Sequence, residues 1–428
     1  MQALAQIGRQ RQFISDEAGF PPDFPMADDA RPTLTPPPTG RPEDFDSMGP
    51  ETFDSPHEQF RDLRERCPVA WSNGWGGFWA LTKYDDIITV LSDPQTFTTT
   101  IQNVVPRVAT SRRRPPLHLD PPEHTPYRKA IAPLFREARM EAWEPTVRQM
   151  AVDLLAPVLA KGEADFCREF SYRLPIYVLA MFFNIPEDKA NQVRDIGSAY
   201  NIALQERNDK LVQATSEQLY DVAKGIIELR KREPLDPATD PTTALLAARH
   251  EGQPLPDEMI LGAIRQMLVV GIIAPTTAIG SMMIHLSRHP ELQDFLRANP
   301  HRIGDAVEEL LRLYTPYRGF ARTARKDVEI GGRCIHAGEA IALVFTSANR
   351  DADKFENPDK FDIDRPVRDH ITFGRGPHNC PGAGLGRLQI RVAIEEVLKR
   401  TKGFKVVGDI EMTRWPEYGP LTAPLKFW

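Results

Sequence analysis

Between Ile371 and Gly382 the chain reads ITFGRGPHNCPG, with one cysteine among three glycines and two prolines just ahead of an amphipathic stretch. Glycine admits the positive φ of tight turns and lets backbone approach something flat or bulky. A thiol just before a helix N-terminus faces the positive end of the helix dipole, which lowers its pKa and favours thiolate. Three readings are open. The loop could simply cap a helix, with an incidental cysteine. It could bind zinc, but His378 and Cys380 are only two ligands and no second pair lies near. A rigidly held thiolate serving as one axial ligand fits the residues best.

Two other spacings could do chemistry. Glu309 and Arg312 are three apart, on one helical face, where carboxylate and guanidinium can meet. His124 and Arg128 are four apart and follow Pro121 and Pro122, which start helices well. Read alone, the first is a common solvated ion pair, and the second either suits an anionic carboxylate or is a surface charge cluster. Cys67, Cys167 and Cys334 have no paired spacing and read as inert thiols rather than disulfide partners.

The elements that position these residues follow from the patterning. The first fifty residues hold nine prolines and few periodic apolar positions, which predicts an extended arm over residues 1–54. From residue 55 the text is globular. A helix around Phe60 and Leu63 leads to a strand near Val69, a second strand at Phe78 to Leu81, and a helix from Tyr84 to Leu91. Residues 99–117 form a long loop carrying Arg112, Arg113 and Arg114. Helical text runs from Pro122 to about Leu313. Within it, Pro256 to Leu286 is apolar on most faces and interrupted at Pro275, so it should run through the centre of the fold. Short strands follow Arg322, punctuated by Gly331, Gly332 and Gly338. A last helix follows Pro381 and runs to about Lys402, with strands at Phe404 to Val407 and near the C-terminus. The class expected is mainly α with a minor β region, in one domain over residues 55–428.

Composition narrows the function. A net charge of −6 argues against a general nucleic-acid binder. No segment approaches the roughly 20 apolar residues needed to cross a bilayer, and the N-terminus lacks the apolar core of a signal peptide. No membrane association and a cytoplasmic location are expected.

Phe373, Gly374, Gly376, His378, Cys380 and Gly382 reproduce the FGxGxHxCxG heme-binding signature, and the chain thereby resembles the cytochrome P450 family. The resemblance covers roughly residues 55–428. It implies the P450 fold, heme b as cofactor, Cys380 as the axial iron ligand and Phe373 beneath the heme. It also makes Glu309, Arg312 and Arg365 a structural clamp, and His124, Arg128, Arg322 and His378 partners of the heme propionates. Buried carboxylates are expensive unless paired, so several cations are required there.

The long helix departs from the family pattern. Counting back from His289 and Pro290, Gly271 aligns with the family's glycine, Ile273 with its acid and Ala274 with its alcohol, so both usual proton-relay side chains are missing. Pro275 has no N–H to give the Gly271 carbonyl. That should kink the helix and free an acceptor for water. Thr277 could assist, or could bond back to helix carbonyls.

The activity implied is monooxygenation: one oxygen atom from O2 enters a small or medium apolar substrate, by hydroxylation or oxidative dealkylation. Few residues follow Cys380, so electrons are expected from a separate ferredoxin and its NAD(P)H-dependent ferredoxin reductase. The substrate pocket is expected among residues 99–117, Phe182 to Leu204, Met267 to Ala274, and Gly319–Phe320. Arg112, Arg113 and Arg114 could recruit an acidic substrate, or be solvated or support a propionate. Two alternatives stand: a peroxide-using or rearranging heme-thiolate enzyme, and a non-enzymatic heme sensor.

Overall fold

The computed structural model describes residues 41–54, 56–107, 112–206, 208–366 and 369–428. Most of the expected arm lies outside that set. Residues 41–54 lie on the body: Phe45 is buried, and the Arg41 guanidinium stacks 4.3 Å from the Trp71 ring and 4.6 Å from the Trp79 ring. Asp44 accepts from the Trp71 amide at 2.7 Å.

The body opens with α1 (Pro56–Arg66), β1 (Val69–Ser72), β2 (Phe78–Leu81), α2 (Tyr84–Ser92) and β3 (Phe97–Thr98). On α2, Tyr84, Ile87, Val90 and Leu91 recur at helical spacing and are the residues buried. Next come α3 (Thr125–Ile131), α4 (Glu137–Lys161), β4 (Glu163–Asp165), α5 (Leu174–Phe182), α6 (Glu187–Gln205), α7 (Asp209–Arg232) and α8 (Pro241–Ala247). Asn208 caps α7 by accepting from the Leu211 amide. Asp240 caps α8 through the Thr243 amide, with Pro241 at the first helical position.

The long helix α9 runs Asp257–Arg288 and is followed by α10 (Pro290–Ala298) and α11 (Ile303–Leu313). The interruption expected at Pro275 is absent: the helix continues through that residue. The expectation that no segment could span a bilayer also needs correction. Among the described residues this one helix is long and apolar enough by length and composition, and 78% of its most apolar window is buried by neighbours. Its apolar surface is spent on the core.

The chain then forms β5 (Phe320–Ala324), the hairpin β6 (Val328–Ile330) and β7 (Arg333–Ile335), β8 (Ala340–Leu343) and a short α12 (Phe345–Ala348). It ends with α13 (Ala383–Arg400), β9 (Phe404–Val406) and β10 (Pro424–Phe427). One sheet has the order β1-β2-β8-β5-β3, antiparallel except where β8 runs parallel to β2, and a second has the order β9-β10-β4. The main core gathers α4, α5, α9, α11 and α13. The five-stranded sheet packs a second cluster around Trp71, Trp79, Leu81 and Ile341.

Candidate active site

Cys380 sits at the end of a loop held by its own backbone. Its amide donates to the Phe373 carbonyl at 2.7 Å, Gly374 N–H to Ile371 O at 2.8 Å, and Asn379 N–H to Gly376 O at 3.1 Å. Gly374 and Gly376 have φ of +69° and +71°. At Gly376 a Cβ would stand 2.5 Å from the Leu91 carbonyl oxygen, so the loop can approach α2 only as glycine. Gly382 stands at the N-terminal boundary of α13.

The Cys380 thiol is accessible, opening on a cavity of about 750 Å³ lined also by Phe373, Gly374, Gly376, Asn379 and Arg387, although protein surrounds it. Burial pushes the thiol pKa up, while the Gly382 N–H, Arg128 and Arg387 pull toward thiolate. With only these groups present the rise prevails. A cation on the sulfur would reverse it, since a coordinating thiol deprotonates outright.

Phe373 carries the Arg387 guanidinium 4.3 Å over its ring. Arg387 also donates through Nη2 to Glu308 at 2.9 Å, and His370 Nε2 lies 3.1 Å from the same carboxylate. Burial alone would raise the Glu308 pKa; His370 and Arg387 outweigh it and bring it down to about 2. This Glu308–His370–Arg387 network was not foreseen. Arg387 stands one turn into α13, the helix that begins after the cysteine loop.

The expected clamp is present. Glu309 and Arg312 are fully buried, with Arg312 Nε and Nη2 at 2.8 and 2.7 Å from the two carboxylate oxygens. Arg365 Nε joins at 3.1 Å, and Arg312 Nη1 donates to the Asn349 and Pro358 carbonyls at 2.7 Å each. α11 and the segment before the cysteine loop are thus tied at one carboxylate.

Beside the loop four basic side chains converge. His124 Nε2 is 3.3 Å from the Pro377 carbonyl, and the His124 and His378 rings are 5.1 Å apart. Arg128 Nη2 donates to Asn379 Oδ1 at 2.6 Å. Arg322, 5% exposed in β5, has only the carbonyl of its neighbour Ala321 within 2.8 Å, and burial drops its pKa to about 10. His378 Nε2 is buried without a partner, and burial, Arg322 and His124 hold its pKa at about 3. Asp120 does not neutralise the group: it accepts from the Thr99 amide at 3.0 Å and from Arg325 at 2.7 Å. Two guanidinium groups and two imidazoles, with the nearby Asp120 carboxylate already committed to Thr99 and Arg325, surround an orphaned ring nitrogen beside a thiol and suit a planar dicarboxylate carrying a metal. The donor set therefore fits heme b.

On α9, Val270 is 39% exposed although neighbours bury most of the helix, and Gly271 and Ala274 are half-buried. These three mark the face left open. Ile273 is buried with Tyr200, Val212 and Leu219. Pro275 is buried. Thr277 is turned away from the open face: it is fully buried and donates to the Ile273 and Ala274 carbonyls at 3.2 and 3.1 Å, the back-bonding alternative. Of the expected pocket segments, Phe182 is in the core, stacked 5.1 Å from Phe135, and Gly319 underlies Trp415. Arg112 lies 3.4 Å from Glu217 and stacks on Tyr220, so it is partnered. Residues 108–111 of that loop lie outside the described set.

Comparison with known proteins supports the same family. The cytochrome P450 family model matches residues 177–406. The chain is 32% identical to cytochrome P450 130 of Mycobacterium tuberculosis, over 90% of this chain and 98% of that one. It is 30% identical to linalool 8-monooxygenase of Pseudomonas putida, over 82% and 90%. The structure of Mycobacterium marinum cytochrome P450 CYP268A2 in complex with pseudoionone is similar with a TM-score of 0.81 at 27% identity, covering 91% of this chain and all of that one (100%). Signature, fold and relatives agree that the chain belongs to the cytochrome P450 family, whose members are monooxygenases that bind heme b through a cysteine thiolate.

Proposed function

We propose that Cys380 gives its thiolate to the iron of heme b, with His124, Arg128, Arg322 and His378 on the propionates and Phe373 against the ring. On this reading the enzyme transfers one oxygen atom from O2 to a small or medium apolar molecule, by hydroxylation or oxidative dealkylation. Its electrons come in the cytoplasm from a separate ferredoxin and ferredoxin reductase. The observation that carries the reading is the convergence of His124, Arg128 and Arg322 on the orphaned His378 Nε2 beside the Cys380 loop.

Heme b, when bound, supplies the activation of O2. The protein's own groups hold and orient. Val270, Gly271 and Ala274 offer the substrate an apolar wall. Linalool 8-monooxygenase and the relative solved with pseudoionone are named for small, largely apolar molecules, which supports that size class. Ile273 and Ala274 carry no exchangeable proton. Pro275 leaves the Gly271 carbonyl without its usual helical donor, so a water held there is the proton carrier. Thr277 takes no part, because its hydroxyl proton is committed to its own helix.

The missing side-chain relay also keeps a peroxide-using reading in view. Turnover decides between them. With linalool and related terpenoids as probes, a ferredoxin–reductase pair and NADH should give product matched to NADH consumed, and Thr277→Ala should leave that ratio unchanged. Product with hydrogen peroxide alone, and none with the ferredoxin pair, would contradict the proposal.

A further inference from the structure

A second group of cations is buried away from the cysteine loop. Arg265 on α9 is 0% exposed. Its Nη2 donates to Ser216 Oγ at 2.8 Å, but Nε and Nη1 meet no acceptor. The guanidinium lies 5.0 Å from the Tyr200 ring and 5.6 Å from the Tyr220 ring. Arg114 is 5% exposed, and its Nε is likewise without an acceptor. Glycine brings the two together. A Cβ on Gly262 would stand 2.0 Å from the Arg113 carbonyl oxygen and 3.3 Å from Arg114 Cα. Only glycine there lets the connection before α3 lie against the central helix, one turn from Arg265.

Among the described residues no carboxylate pairs with Arg114 or Arg265. Burial lowers the Arg114 pKa first, then Arg265 lowers it further, opposed only by the phenols of Tyr200 and Tyr220. His118 is held at about 3 by burial and by Arg114, Arg265, Arg107 and Arg113. The charges that bear on His378 are instead Arg322, His124, Asp120 and Arg128, so the two cationic groups are separate. A buried, unmet charge-bearing donor is costly, and a neutral water answers its hydrogen bond but not its charge.

The position suits a substrate. Gln266, Val270 and Ala274 are four apart and share one stripe of α9, and the Gln266 side-chain oxygen is buried and unpartnered. At 1.5 Å per residue, Arg265 stands about 13 Å along the helix from Ala274. An extended apolar molecule could touch both.

We propose that Arg114 and Arg265, covered by Tyr200 and Tyr220, bind a substrate carboxylate, so that the apolar substrate is an organic acid oxidised at its far end. This rests on the heme-thiolate reading above. The acid enters as α6 and α7 part from α9, and its two oxygens take the unmet N–H groups as they close.

The test is a titration of the heme-loaded enzyme with decanoic, dodecanoic, geranic and 4-butylbenzoic acids, each beside its methyl ester, read by the Soret shift. At least one acid should bind about tenfold or more tighter than its ester, as expected for charged hydrogen bonds. Arg265→Gln and Arg114→Gln should remove that preference while leaving the affinity for 4-phenylimidazole, which binds iron directly, unchanged. No acid surpassing its ester in the wild-type enzyme would overturn the proposal, as would a preference that survives both substitutions. The wild-type comparison stands even if a variant fails to fold. A normal thiolate spectrum with carbon monoxide but no acid preference refutes this inference alone; an abnormal spectrum refutes the reading beneath it.

Discussion

Gly374 and Gly376 have nearly the same φ and different neighbours, which separates conformational strain from collision. At Gly374 the nearest atom to an added Cβ is 3.8 Å away; at Gly376 it is a carbonyl oxygen at 2.5 Å. Gly374→Ala should therefore cost only the left-handed penalty of about 1–2 kcal/mol. Gly376→Ala adds a backbone overlap that must displace α2 or the loop that holds Cys380. The predicted outcome is near-normal heme content for the first variant and a several-fold loss for the second, read from the Soret absorbance per protein. Equal loss in both would show that the approach to Leu91 does not matter.

At the scale of elements, buried polar groups tie together segments that apolar packing alone would leave free to slide. Glu309→Ala strands the fully buried Arg312 guanidinium and releases Arg365. Breaking a buried pair from one side costs about 3–5 kcal/mol, so this variant should unfold at much lower urea than wild type or fail to accumulate. A shift under about 1 kcal/mol would mean the clamp behaves as an exposed pair.

His285, on α9, tests the same scale through pH. It is 6% exposed, its Nδ1 lies 2.9 Å from the Tyr314 hydroxyl, and burial, helped by His289 and Arg350, lowers its pKa to about 4. The unfolded chain takes up a proton near pH 6.5 that the folded chain refuses until about pH 4. Its contribution is thus intact above about 6.5 and declines as pH falls through that window. Between pH 7 and 5 the wild type should lose about 2 kcal/mol more than His285→Gln in urea titrations. Equal losses would contradict the assignment.

The same elements show what a sequence can and cannot carry. The cysteine loop is legible because its glycines, histidine and thiol are contiguous, whereas the Glu309–Arg312 spacing reads alone as a solvated pair and becomes a clamp only through the family resemblance. The central helix is legible from apolar residues on most faces, yet it continues through Pro275, a residue that its neighbours bury. The strand at Phe320 was missed in part because Arg322 breaks its apolar alternation, and that arginine faces the basic cluster rather than the core. Arg265 was overlooked for a related reason. A single arginine in an apolar helix has no local pattern, and Arg114 meets it only through the close approach at Gly262. Likewise Glu308, His370 and Arg387 come from three separate segments. Contacts between distant segments are set by packing and leave no periodic trace.

Across the whole molecule, the fold places one long helix between two kinds of support. Helices α5, α11 and α13 carry it from the core side, while α6 and α7 cover its length near Tyr200 and Tyr220. The five-stranded sheet delivers Arg322 to the basic cluster, and α3 delivers His124 and Arg128. No single element holds the site. Its cations, its thiol and its apolar wall come together only in the complete body, which is why an orphaned nitrogen and an uncompensated charge are the clearest marks of what it binds. The central claim is that this assembly places the Cys380 thiolate on heme iron. The most direct measurement is the difference spectrum of the reduced protein with carbon monoxide, for the wild type and for Cys380→Ser. A strongly red-shifted Soret band in the wild type that vanishes in the variant is predicted; a wild-type band typical of histidine-ligated heme, or a red-shifted band that persists without Cys380, would contradict the account.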